Sequence, residues 1–245
     1  MGVIKTKGLV IKEVSYNDSD KMLTIITENL GKISVLARNA KKNGSRASYG
    51  TQVLTYGEYV IFKGRTSFTL NSCDVLTNFY DLATDLVCFT HAAHMMDMAG
   101  DAAQDNALSS RILNLLIHGL QALKKGRTPL LVSSAFALKL MQITGYPPHV
   151  CSCASCGTCD IEQIYFSFKH NGFICEKCSG QDSNAVQLDI GTAKGIMYVL
   201  CAQDGGIYRF ELSEKILITF SKITFKYISQ HLDKNYKKLD ILNEL

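Results

Sequence analysis

Two hydrophobic periods divide the chain. Up to about residue 78 the apolar residues fall in short β-type runs, Leu9–Val14, Met22–Thr27, Ile33–Ala37, Glu58–Phe62 and Ser67–Asn71. Several of these alternate with period two, as a strand with one buried face does. The turns between them, Tyr16-Asn17-Asp18-Ser19, Glu28-Asn29-Leu30-Gly31 and Lys63-Gly64-Arg65, contain typical turn residues. Gly31 and Gly64 are free to take the positive φ that a tight hairpin asks for. Asp18 and Asp20 belong to the first turn, where capping and turn hydrogen bonds account for them. Five short strands followed through a longer polar connection, Asn39–Gly50, predict a small β-barrel of the oligonucleotide-binding (OB) type.

Beyond residue 78 the period becomes helical. Phe79, Leu82, Leu86, Phe89 and Ala93 form one series, and Ile112, Leu115, Leu116 and Leu120 a second. A third run, Leu131 to Ile143, is stopped by Gly145 and the Pro147-Pro148 pair. Ala193–Cys201 and Glu214–His231 read as two more helices, and the tail Leu232–Leu245 as polar and loose. The expected architecture is α+β and multidomain. An N-terminal OB-fold barrel covers residues 1–79, and a C-terminal all-α helical domain covers 80–245, with a four-cysteine insert at 150–180.

Composition narrows the class. The 245 residues are 47% hydrophobic and 20% charged, as in an ordinary globular protein. No apolar run approaches the ~18 residues of a membrane span. The N-terminus has no apolar h-region, so an intracellular, cytoplasmic protein is expected. The net charge of +4 is unevenly spread: residues 1–79 hold 11 Lys/Arg against 6 Asp/Glu, residues 80–245 hold 15 against 16. A basic first third points to a polyanionic partner. The candidate phosphate contacts are Arg38, Lys41, Lys42 and Arg46, directly after the third strand, and Lys63 and Arg65 at the tip of a second hairpin. Tyr49, Tyr56, Tyr59, Phe62 and Phe68 are available for base stacking, although most are expected in the barrel core. A second basic set, Arg209, Lys215, Lys222, Lys226, Lys234, Lys237 and Lys238, reads first as a solvated helix face and tail, and otherwise as an auxiliary DNA or partner surface.

Six of the nine cysteines fall between residues 151 and 178. Cys153-x2-Cys156 and Cys175-x2-Cys178 are two tight turns that can each aim two sulfurs at one point, which suits a structural zinc ion. The intervening Ile164–Phe168 is a plausible strand of the hairpin between them. Gly157, after the second cysteine, favours this set, because a turn closing on a metal often needs a positive φ there. Cys156-x2-Cys159 would also serve as the first pair, Cys151 could compete, and Cys153-x2-Cys156-x2-Cys159 imitates the start of an iron–sulfur run. That run would continue x3-Cys-Pro, which Asp160-Ile161-Glu162-Gln163 does not. Cys73, Cys88 and Cys201 read as structural thiols.

No catalytic constellation stands out. His91, His94 and Asp97 share a helix face, but Met95, Met96 and Met98 interleave with them, and partly buried polar positions on a core helix are the reading. There is no GxxxxGK[ST], GxGxxG, GxSxG or HExxH motif. The expectation is a protein that is not an enzyme. A zinc-dependent nucleic-acid enzyme and an iron–sulfur sensor are the alternatives.

The residue order resembles a known family, the bacterial recombination mediators RecO. The likeness runs from Gly8-Leu9-Val10-Ile11 through Tyr16-Asn17-Asp18-Ser19-Asp20-Lys21, Leu23-Thr24 and Thr27-Glu28-Asn29-Leu30-Gly31-Lys32-Ile33-Ser34 to the basic loop ending in Ser45-Arg46. It resumes at Gly145-Tyr146-Pro147-Pro148-His149-Val150, Cys153-x2-Cys156-Gly157, Phe166-Ser167, Gly172 and Cys175-x2-Cys178. Cys151 and Cys159 are extra thiols, and Met96-Asp97-Met98 stands where the family has Glu-Leu. The resemblance implies an OB barrel, a helical domain with one structural zinc, and binding of single- and double-stranded DNA with annealing of complementary strands. It further implies loading of RecA with RecR on DNA coated by single-stranded-DNA-binding protein, whose C-terminal tail is recognised, in a cytoplasmic, nucleoid-associated setting.

Overall fold

A computed structural model describes residues 2–41, 49–103, 106–203, 205–234 and 236–243. Two of the candidate DNA contacts, Lys42 and Arg46, lie outside the described residues. The chain forms two compact units, one of Met1–Lys125 with Lys237–Leu245 and one of Gly126–Tyr236.

In the first unit, strands β1 (Gly2–Ser15), β2 (Lys21–Thr27), β3 (Gly31–Ala37), β4 (Thr55–Lys63) and β5 (Phe68–Asn78) close into a barrel in the order β1-β2-β3-β5-β4. β1 serves both halves of it. Residues Gly2 to Leu9 pair antiparallel with β4, and Gly8 to Ser15 pair antiparallel with β2. Gly8 sits where the strand passes from one partner to the other; a Cβ there would lie 2.7 Å from Ile25 Cγ2, so close packing excludes a side chain. A short parallel contact, Val35 with Phe68 and Leu36 with Thr69, completes closure. Val10, Leu23, Ile25, Ile33, Val35, Tyr59 and Ile61 fill the interior. The buried Tyr59 hydroxyl is within reach of the carbonyls of Gly50 (3.1 Å) and Thr55 (3.2 Å), which satisfies its polar end.

The strands outrun their apolar pattern. β5 continues through residues 71–78 although most of that stretch is exposed, because its register with β4 runs on to Thr55–Asn78. Gly31 takes φ 70, as expected. Gly64 does not enter the left-handed region; its turn closes through an N–H donated to Ser67 O at 2.9 Å.

A 3-10 turn, Tyr80–Thr84, leads to helices α1 (Leu86–Ala102) and α2 (Asn106–Lys124). The apolar series beginning at Phe79 overran the true start. Asp85 caps α1 by accepting the Cys88 N–H at 3.0 Å, while Phe79 is a fully buried residue ahead of the helix. The helices pack on the barrel: Lys32 N–H donates to Ala103 O at 2.9 Å and the Ser109 hydroxyl to Glu28 O at 3.1 Å. The tail is not loose among its described residues. Lys238–Asn243 forms a 3-10 turn on α1, where Lys238 Nζ reaches Asp97 Oδ2 at 2.8 Å and Ala93 O at 3.4 Å.

The second unit is built around α3 (Pro129–Ile143), of whose fifteen residues twelve are buried. Around it lie a small sheet of β6 (Ile164–Ser167), β7 (Gly172–Cys175) and β8 (Val186–Gln187), and helices α4 (Ile190–Cys201) and α5 (Glu214–Leu232). The buried Lys139 of α3 closes the C-terminus of α4, donating to Ala202 O at 2.6 Å and Val199 O at 3.4 Å; Gln142 adds a bond to Leu200 O at 3.1 Å. These carbonyls have no partner within their own helix. Among the described residues no helix is long and apolar enough to cross a membrane.

Candidate metal centre and nucleic-acid interface

The four predicted cysteines come together. Cys153 and Cys156 belong to a tight turn held by Gly157 N–H on Cys153 O at 2.8 Å, with Gly157 at φ 78. Cys175 ends β7, and Cys178 follows within a single helical turn, Glu176–Ser179. The turn is tied to the hairpin by Ala154 N–H on Phe173 O at 2.7 Å. One strand-like contact, His149 beside Gly172, brings the incoming segment against β7; a Cβ on Gly172 would stand 2.2 Å from His149 O.

The four sulfurs lie within 4.8 Å of one another, and Cys156 and Cys175 are 3.8 Å apart, Sγ to Sγ. A tetrahedron with zinc–sulfur bonds of about 2.3 Å has edges of about 3.8 Å, so the donor set fits a four-thiolate ion of that size. Backbone donors already favour thiolates. Cys156 and Cys175 N–H groups approach Cys153 Sγ at 3.5 and 3.4 Å. Burial opposes a charge on Cys153, but the N–H groups of Cys156, Cys175 and Ser155 overcome it and draw the thiol down to about 6. At Cys178 the Ser155 hydroxyl favours the thiolate, whereas burial and the three neighbouring thiols together push the group up to about 12. Four sulfurs so close resist full ionisation unless a cation sits among them. Cys151 and Cys159 are exposed and stand outside the four-sulfur group.

The first turn of the barrel has a role that its sequence only hinted at. Asn17 Oδ1 accepts the N–H groups of Ser19 and Asp20 at 3.0 and 2.7 Å. Asp20 accepts the Asn39 N–H at 2.7 Å, and the Lys41 ammonium donates to Asn17 O. Asp20 is held below the ordinary carboxylate range, first by Asn39 N–H and then by Asn17 and Ser19. The β1–β2 turn thus fastens the start of the basic connection that follows β3. At the other hairpin, Lys63 pairs with Phe68, and Phe68 adjoins Val35 of β3. Arg38, Lys63 and Arg65 therefore border one strand; all three are exposed and none forms an ion pair among the described residues. Lys5, Lys21 and Lys124, in contrast, are matched by Glu58, Glu13 and Asp81. Of the aromatic candidates, Tyr59 is core, Tyr56 and Phe68 are half-buried, and Tyr49 and Phe62 are exposed.

His91 and His94 are buried in α1, and burial lowers them to about 4 and about 3, with His91 and Lys238 adding to the effect on His94. They are neutral core residues, and Asp97 pairs with Lys238.

The closed barrel, the helices and the four clustered cysteines define an OB-barrel protein whose Cys153, Cys156, Cys175 and Cys178 are grouped so that they could hold a metal ion. Comparison with known families is concordant along the whole chain. Residues 1–79 match the model for the recombination protein O N terminal, and residues 83–240 that for its C terminal. A DNA repair protein RecO of Acetivibrio thermocellus is 41% identical over 246 residues, covering 100% of this chain and 98% of that protein. Those of Alkaliphilus metalliredigens and Caldicellulosiruptor bescii are 32% and 31% identical, over 99% and 98% of this chain and 100% and 98% of their own lengths. The chain belongs to the RecO family, which gives it a role in DNA repair and recombination.

Proposed function

We propose that this chain is a recombination mediator that binds single- and double-stranded DNA and anneals complementary strands. With RecR it helps load RecA on DNA coated by single-stranded-DNA-binding protein, whose C-terminal tail it recognises. The observation that carries this reading is the OB-order barrel with Arg38 directly after β3 and Lys63 and Arg65 at the β4–β5 hairpin, none of them in an ion pair among the described residues, in a chain matched to the family from end to end. Lys41, Lys42 and Arg46 are further candidate phosphate contacts of the OB-fold DNA-binding domain, residues 1–79. These cations neutralise phosphates and do not read bases, as annealing of arbitrary strands requires. The work is binding, with no catalytic residue.

The metal is one zinc ion held by Cys153, Cys156, Cys175 and Cys178. Four thiolates close its coordination, leaving no position for a substrate or an activated water, so its role is structural and a zinc-dependent enzyme is disfavoured. The test is a salt titration of single-stranded oligonucleotide binding by the full chain and by the triple variant Arg38→Glu, Lys63→Glu, Arg65→Glu. Each lost phosphate contact is expected to reduce the log–log salt slope by about 0.7. A variant with the wild-type slope and affinity would overturn the barrel assignment.

A further inference from the structure

The second unit is close to neutral, with 10 Lys/Arg and 9 Asp/Glu over residues 126–236, yet one of its helix faces is lined by cations. Asp160, Glu162 and Glu176 line the open cleft beside Cys156 and Cys175, with Lys177 as the cation among its lining residues. Three of the unit's ten cations stand together on the outer face of α5. Lys215, Lys222 and Lys226 are spaced by seven and four residues, which on a helix places them in line, about 10 and about 6 Å apart along the axis. All three are exposed, while Leu217, Phe220, Ile223, Tyr227 and Ile228 turn the opposite face into the core. Among the described residues none of the three forms an ion pair, in a protein that matches Lys5, Lys21, Lys124, Arg127 and Lys238 with carboxylates.

Two further features shape this face. The Lys226 ammonium lies 4.2 Å from the ring centroid of Phe168, a half-buried aromatic at the β6–β7 turn. That contact orders one cation and sets a ring beside it. Past Lys226, a shallow cleft is lined by Lys226, Ser229, Gln230, Asp233 and Lys234, all polar. It offers hydroxyl and amide donors, with a single carboxylate, and no apolar seat for a hydrophobic peptide anchor.

We propose that the outer face of α5, from Lys215 through Lys222 and Lys226 to Ser229 and Gln230, with Phe168 at its side, is a second, sequence-independent binding surface for a nucleic-acid phosphate backbone. It rests on the DNA-binding reading above and adds to it a site on the unit that does not contain the barrel. Aligned unpaired cations suit a polymer of regularly spaced charge, and the adjoining ring suits an unstacked base. One molecule then holds nucleic acid at two places, which an annealing protein needs if it is to keep two strands in hand.

The test uses the full chain and an oligothymidylate, comparing wild type, Lys222→Gln/Lys226→Gln, and the barrel triple variant, with melting temperatures to verify that each is folded. Loss of two contacts is expected to lower the log–log salt slope by about 1.4, equally for a mixed-sequence oligonucleotide. Amine acetylation of wild type, read by mass spectrometry, should show DNA protecting Lys222 and Lys226. If the α5 variant keeps the wild-type slope and these lysines remain unprotected while the barrel variant loses affinity, the second surface is refuted and the barrel reading stands. If wild type binds no nucleic acid, both fall. If DNA binding is untouched but polyglutamate binding depends on Lys222 and Lys226, the face serves an acidic protein, and the proposal is overturned in that direction.

Discussion

Asp20 accepts the backbone N–H of Asn39 at 2.7 Å, across nineteen residues of sequence. Asn39 is in the left-handed region, at φ 54, and its neighbour Lys41 is tethered back to Asn17. The basic connection therefore starts from a fixed point, set by the β1–β2 turn. Asp20→Ala should weaken single-stranded DNA affinity a few-fold while the barrel stays folded, because Arg38 and Lys41 would then have to be ordered on binding. Equal affinities at low salt would show that the staple is irrelevant to binding.

Metal removal should act on structure. The purified chain is expected to contain one zinc per molecule, and Cys153→Ser or Cys175→Ser to lose it with a marked fall in melting temperature, since binding free energies of roughly 10–16 kcal/mol are folding free energy in such sites. Cys151→Ser and Cys159→Ser should retain full zinc. Stoichiometry measured on all four variants decides the ligand set; zinc lost from Cys159→Ser would displace the assignment.

Acid should loosen the first unit. His91 and His94 are lowered to about 4 and about 3 when folded and return to about 6.5 when unfolded. Between those values the unfolded chain binds more protons, so the stability is complete above pH 6.5 and is lost as pH falls toward 4 and 3. The loss is on the order of 2 kcal/mol per histidine by pH 5. A His91→Gln/His94→Gln variant should show a flatter stability profile over that range. An unchanged profile would mean that other groups dominate.

Lys139 should be a stability residue of the second unit. Lys139→Met keeps the apolar stem and removes the ammonium, leaving the carbonyls of Ala202 and Val199 without their donor. A loss of about 2–4 kcal/mol is expected, readable by chemical denaturation. A loss below about 0.5 kcal/mol, the range of ordinary surface changes, would imply that water satisfies those groups.

Much of this was legible from the chain. Short β-type runs, several of them alternating with period two, located all five barrel strands, and the two Cys-x2-Cys pairs with Gly157 selected the four sulfurs that the fold assembles. What escaped was the part fixed by non-local contacts. β5 extends over exposed residues because its partner strand supplies the hydrogen bonds, a signal that apolar patterning does not contain. The start of α1 was blurred because Phe79 is apolar for packing ahead of the helix, with Asp85 setting the boundary. The crowding that keeps Gly172 free of a side chain comes from His149, which lies 23 residues earlier in sequence. The tail was misread because its order comes from Asp97 and Ala93, more than a hundred residues away.

The docking of Lys238–Asn243 on α1 has a consequence for the order of assembly. The first unit is drawn from both ends of the polypeptide, with Gly126–Tyr236 inserted between its two pieces. A ribosome delivers the barrel early, but Asp97 and the Ala93 carbonyl must wait for their partner until the whole inserted unit has emerged. The portion synthesised first is thus the one finished last.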